Sequence, residues 1–132
     1  MGSEMCIRDR YKNQGDGRFL KINIGAIVND GGNSVGGSWG DYDNDGDLDL
    51  FVSNSGNQNN FLYQNNGDET FTKITDGPIP NDQGHSHGSA WADYDNDGDL
   101  DLFVSNDQGQ DNKKLSWPWS LLTKRSKSPS LS

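Results

Sequence analysis

The sequence predicts an all-β fold built from a repeated unit of four short strands, and three observations carry that expectation. Shifted by 52 positions, residues 11–54 lie over residues 63–106 without a gap, and 29 of the 44 pairs are identical. Apolar residues come in short alternating runs bounded by Gly, Asn, Asp and Ser, the punctuation of strands and tight turns. Hydrophobic residues amount to 30% while Gly numbers 17, which suits a turn-rich sheet better than helices. Four strands in a 52-residue period is the anatomy of a β-propeller blade. A solenoid of longer β-units fits four short antiparallel strands less well, and a single sandwich has no need of so close an internal repeat.

The repeat divides the chain into a partial blade at 11–35, a blade at 36–87 and a partial blade at 88–112. Within a copy, Gly36–Asp41 and Gly88–Asp93 read as a first strand, one Trp among small residues. Trp39 and Trp91 are expected to fill the space between blades rather than to stack on a sugar. An Asp-rich hairpin connection follows, then a second strand, Leu48–Ser53. Leu48, Leu50 and Val52 share one face of it and Phe51 takes the other, so both faces should be covered. Asn60–Gln64 makes a third strand and Thr70–Ile74 a fourth, joined by Asn65-Asn66-Gly67-Asp68, residues that tolerate positive φ. Asp76 through Gly84 leads to the next copy.

The ends break the pattern. Met1–Arg10 has no counterpart in the repeat, and Met5-Cys6-Ile7-Arg8-Asp9-Arg10 reads as translated adapter sequence. The register holds to Asn112, after which 113–132 is a non-repeat tail. Where the repeat asks for Tyr at 115 and Asn-Asn-Gly-Asp beyond it, the chain has Leu115 and Trp117-Pro118-Trp119-Ser120, as a reading-frame slip at Lys113-Lys114 or a disordered Ser-rich terminus would give.

At 132 residues the chain has room for one domain. Its net charge of −9 hides a sharper division: residues 11–111 carry 18 acids against Lys12, Arg18, Lys21 and Lys73, a balance of −14. Such a surface argues against nucleic acid as a partner. There is no apolar run of about 18 residues, hence no expected membrane insertion, and Met1–Arg10 has no apolar core of a signal peptide. Cys6 is the single cysteine, so neither an intrachain disulfide nor a thiolate metal site can form.

The Asp-rich connection is Asp41-Tyr42-Asp43-Asn44-Asp45-Gly46-Asp47-Leu48-Asp49, and it returns unchanged at 93–101. Two carboxylates about 4 Å apart repel by about 1 kcal/mol even in water, so five at alternate positions ask for a positive ion among them. Hard oxygen ligands on a short loop bent at a Gly point to Ca²⁺. Side chains of Asp41, Asp43 and Asp45 are expected to converge, Gly46 to take a turn that a Cβ would obstruct, Asp47 to offer its carbonyl and Asp49 to close the site. Asp93, Asp95, Asp97, Gly98, Asp99 and Asp101 repeat the set. An EF-hand closes with Glu at the twelfth position and runs into a helix; here that position is Val52 or Val104 in a strand-like run. Dockerin-like loops fail on the same ground, nonapeptide Gly-Gly-x-Gly-x-Asp tandems are absent, and thrombospondin-type repeats would carry many cysteines.

Asp-x-Asp-x-Asp-Gly-x-x-Asp ahead of Leu-Phe-Val, with Trp-(Gly/Ala)-Asp-Tyr before it and Asn-x-Gly-Asp-x-x-Phe after it, resembles the FG-GAP/VCBS repeat. The resemblance covers Tyr11 to about Asn112. It implies a Ca²⁺-binding, integrin-α-like propeller of seven blades, of which about two are present, so the missing blades of the parent chain become expected partners. It also implies that Asp41, Asp43, Asp45 and Asp49, with Asp93, Asp95, Asp97 and Asp101, supply carboxylates, and that Asp47 and Asp99 supply carbonyls.

Other chemistry is thin. His85 and His87 would share a side, but Asn33 and Val35 replace them in the first copy and no third ligand is evident. No Ser/His/Asp triad is supported, metal ligation uses up the carboxylate pairs a glycosidase would need, and Gly31-Gly32-Asn33-Ser34 lacks the Lys of a phosphate loop. The expected function is a non-catalytic extracellular or cell-surface scaffold for adhesion, its loops contacting a protein or polysaccharide ligand. The alternative is the non-catalytic propeller portion of a larger secreted enzyme acting on polysaccharide, and a third reading is a calcium-dependent assembly protein with no small ligand.

Overall fold

A computed structural model describes residues 8–107 and the backbone of 113–115. Strands β1 (Arg10–Asn13) and β2 (Phe19–Ile22) form a hairpin, and a single helical turn, α1 (Ala26–Asn29), leads into the second sheet. That sheet runs β3 (Ser34–Gly40), β4 (Asp49–Asn54), β5 (Phe61–Asn65) and β6 (Phe71–Ile74) in sequence order, every pair antiparallel. A third sheet holds β7 (Ser86–Ala92), β8 (Asp101–Asn106) and β9 (Lys113–Leu115). This is one complete four-stranded blade between parts of two others, a partial propeller, nearly all-β as the repeat predicts.

The second strand shows why. Leu50 and Val52 point into one core with Ile27, Val28 and Tyr63. Phe51, on the opposite face by the period-two rule, enters a second core with Tyr42, Leu62, Ile79, Leu102 and Val104. The second of these cores fills the gap between the second and third sheets, whereas the first lies between α1 and the second sheet. Ile27 in α1 and Ile79 in the connection before β7 hold equivalent places in the repeat, and both are buried, one in each core.

Small differences from the sequence reading have physical causes. Leu48 is exposed, because the strand starts one residue later, at Asp49. The blades open at Ser34 and Ser86 rather than at 36 and 88, each start carrying a bulge that skips Val35 or His87. Arg10 pairs with Ile22, and the Arg8 guanidinium donates to the Ile27 and Asp30 carbonyls and to the Tyr63 hydroxyl. The folded part therefore reaches into the segment set apart as 1–10. β9 lies beside β8 with Leu115 opposite Leu102, the register in which Tyr63 stands opposite Leu50, so the backbone keeps the repeat through 115. Met1–Ile7, Cys6 among them, and the tail beyond 115 lie outside the described residues.

The two tryptophans part company. Trp91 packs against the core between the second and third sheets, its ring so close to Gly40 that a Cβ there would lie 2.6 Å from it. Trp39, also expected in the core, is 50% exposed and meets Phe71 edge-on, ring centroids 6.0 Å apart. The correction follows from what lies opposite: β3 has no inner strand of a preceding sheet facing it among the described residues.

Candidate metal centre

Strand pairing ends at Gly40 opposite Asp49, so residues 41–48 form the hairpin connection at that end of the blade. Ala92 opposite Asp101 defines the same loop in the next sheet. Within the first loop the backbone folds onto its own carboxylates. Asp41 accepts from the amides of Asp45 (3.1 Å) and Gly46 (3.0 Å), and Asp45 accepts from the Asp47 amide at 2.9 Å. Asn44 and Gly46 carry φ of 60° and 94°. A Cβ on Gly46 would meet nothing within 4 Å, so the glycine is required by its left-handed backbone and not, as the sequence suggested, by crowding.

One carboxylate oxygen from each of Asp41, Asp43 and Asp49 lies within 4.8 Å of the others, and Asp93, Asp95 and Asp101 gather in the same way. Oxygens on opposite sides of a Ca²⁺ ion stand about 4.6–5.2 Å apart, given Ca–O distances of about 2.3–2.6 Å. The donor set, all hard oxygen, fits such an ion. Asp45 and Asp97 are not members of these clusters. Asp47 and Asp99 were expected to act through carbonyls, and their carboxylates reach elsewhere: Asp47 leans on the turn at Gly67, and Asp99 accepts from Asn44 of the first loop at 2.7 Å.

Asp49 anchors its cluster. It is fully buried, yet both oxygens are held, Oδ2 by the Tyr42 amide at 3.0 Å and Oδ1 by the Asn65 amide at 2.7 Å. Burial pushes its carboxyl up to about 6; those two amides oppose the shift, and the charges of Asp43 and Asp45 add to it. Asp43 is raised too, first by burial and then by Asp45 and Asp41, against the Gln64 side chain, which donates to it at 2.5 Å. Tyr42 is pushed up to about 12 by burial and by the acids around it.

Sequence reasoning missed Gln64, Asn65 and Asn44 as supports. Gln64 and Asn65 come from β5, the strand beside β4, and Asn44 acts on the neighbouring loop, so no local spacing marks them. The histidines do not converge on a site: His85 Nδ1 faces the Gly56 amide at 3.3 Å, whereas His87, on the bulge, meets Asp107 at 2.8 Å.

Comparison with known proteins agrees with the geometry. A family model for the FG-GAP-like repeat matches residues 9–52 and again 41–104. No curated protein matches the chain. The matches span most of the described residues and repeat where the sheets repeat, and the chain belongs to the FG-GAP-like repeat family.

Proposed function

We propose that this propeller-type scaffold is stapled by Ca²⁺ at its two Asp-rich hairpins and serves as a non-catalytic binding module outside the cell. The observation that carries the reading is the pair of three-carboxylate clusters, one at the same end of each equivalent hairpin. Bound there, Ca²⁺ supplies the positive charge that offsets the mutual repulsion of the acids. The protein's part is to hold the ligands. The amides of Asp45 and Gly46 orient Asp41, those of Tyr42 and Asn65 fix Asp49, and Gln64 positions Asp43. Asp45 and Asp97, on the same loops, accept from the amides of Asp47 and Asp99 and brace the turns, and Asp47 and Asp99 have carbonyls to offer.

Extracellular millimolar Ca²⁺ suits sites of this kind, whose affinities run to about 10⁻⁴–10⁻³ M in extracellular modules. No helix among the described residues is long and apolar enough to cross a membrane. A protein or polysaccharide ligand, met through loops on one face, fits an acidic scaffold without a catalytic constellation among the described residues. Calorimetric titration tests the metal reading: Ca²⁺ should bind at two sites per chain, and Asp43→Asn should leave one. Absence of heat at millimolar Ca²⁺ rejects it.

A further inference from the structure

The two acid-rich hairpins are joined by a side chain. Asn44, the fourth residue of the first loop, donates its amide to Oδ1 of Asp99, the seventh residue of the second, at 2.7 Å. At φ 60° Asn44 sits in the left-handed region, which Asn accepts more readily than most residues.

Each end of that bond is built into the frame that aims the carboxylates. On the first loop Asn44 lies between Asp43 and Asp45, and the Asp45 amide donates to Asp41 at 3.1 Å and to Asp43 at 3.3 Å. On the second loop the Asp99 amide donates to Asp97 at 3.0 Å. The amides of Asp97 and Gly98, just before it, donate to Asp93 at 3.1 and 3.0 Å. A shift of Asn44 therefore displaces the donor that aims Asp41 and Asp43, and a shift of Asp99 disturbs the turn that aims Asp93. The bond makes the two adjustments one event.

Given the Ca²⁺ staple proposed above, on which this rests, we propose that the Asn44–Asp99 bond couples the two sites: an ion held by either hairpin raises the affinity of the other. Closing a loop around an ion costs conformational freedom. With the bond in place, ordering one loop also restrains the other, which then has less freedom to lose. Charge works in the opposite sense, because an ion in one acid cluster weakens the negative field that draws the next. Salt separates the two effects. At about 0.5 M the Debye length falls to about 4 Å, which screens the field between exposed loops and leaves a hydrogen-bonded tether in place. A single charge-assisted bond on an exposed surface supports a coupling of about fivefold, the low end of the usual range.

Calorimetric titration of the full chain with Ca²⁺ in about 0.5 M KCl tests this. The parent should take two ions per chain with a Hill coefficient of about 1.4, the value that a fivefold coupling gives two like sites. Asp43→Asn breaks the first cluster, and its remaining ion should bind about fivefold more weakly than the parent's second. Asp95→Asn should show the same factor, because coupling is reciprocal. Asn44→Gly removes the amide and keeps the left-handed turn; it should still take two ions, with a Hill coefficient of about 1. Asn96→Gly, the same change at the equivalent turn, also at φ 60°, should keep the parent's cooperativity. Asp99→Asn retains an acceptor oxygen and should keep it too. Two ions bound independently by the parent, or cooperativity that survives in Asn44→Gly, would overturn the coupling and leave the staple standing. No heat at any Ca²⁺ concentration would reject the metal reading and the coupling with it.

Discussion

Asp49 has no contact with solvent and sits beside two other carboxylates, and its titration can be worked through in the metal-free protein. Its folded pKa of about 6 lies above the ordinary 3.8, so between those values the folded form holds a proton that the unfolded form has lost. Stability from this group is therefore fully present below pH 4 and is lost as pH rises through about 6, by about 3 kcal/mol in all. Urea unfolding in chelator should show Asp49→Asn gaining on the parent by about that amount between pH 4 and pH 7. A gap that does not widen with pH would show that Asp49 is not held as a buried acid. Much of this site was legible at the residue scale: the alternating Asp pattern marks Asp41, Asp43 and Asp49, which the fold brings together. The spacing could not separate them from Asp45, because every second residue on the loop carries the same side chain and backbone curvature alone decides which converge.

At the scale of the strand, the alternation of Leu50, Phe51 and Val52 assigned both faces correctly, since side chains on a pleated strand have no third direction. What alternation cannot say is whether anything lies opposite. Phe51 and Phe103 occupy the same position in identical strands, yet the first is fully buried and the second half exposed. Phe51→Ala should cost about 3–5 kcal/mol through lost burial and the cavity left behind. Phe103→Ala, measured in dilute protein, should cost about 1 kcal/mol. Equal losses in chemical denaturation would mean that the outer face of the third sheet is covered in the isolated chain. Gly40 makes the same point from the other side: Trp91 leaves no room for a Cβ, a constraint visible only once the sheets are stacked.

For the whole molecule, stability rests on two thin cores and, in our reading, on ions at one end of the sheets. A ligand that binds only the folded form stabilises it by about 2.7 kcal/mol per site at a hundredfold excess over its Kd. Saturating Ca²⁺ should raise Tm by about 10–20 °C, reversed by chelator. Asp43→Asn should forfeit about half of that rise while matching the parent's Tm in chelator to within a few degrees. A Tm indifferent to Ca²⁺ would remove the staple from the account. The two loops also touch through Asn44 and Asp99, so neither sheet presents its acids in isolation.

The sequence by itself determined the repeat, the strand order within a blade, the in-and-out alternation and the position of the acid-rich turns, because backbone hydrogen bonding and period-two side-chain placement are local rules read at fixed spacing. Only the tertiary structure decided which of two identical phenylalanines is buried, which of two tryptophans finds a glycine to lie on, and which carboxylates meet. Those outcomes depend on the neighbouring sheet, and burial is set by what stands across the gap rather than by the residue that faces it.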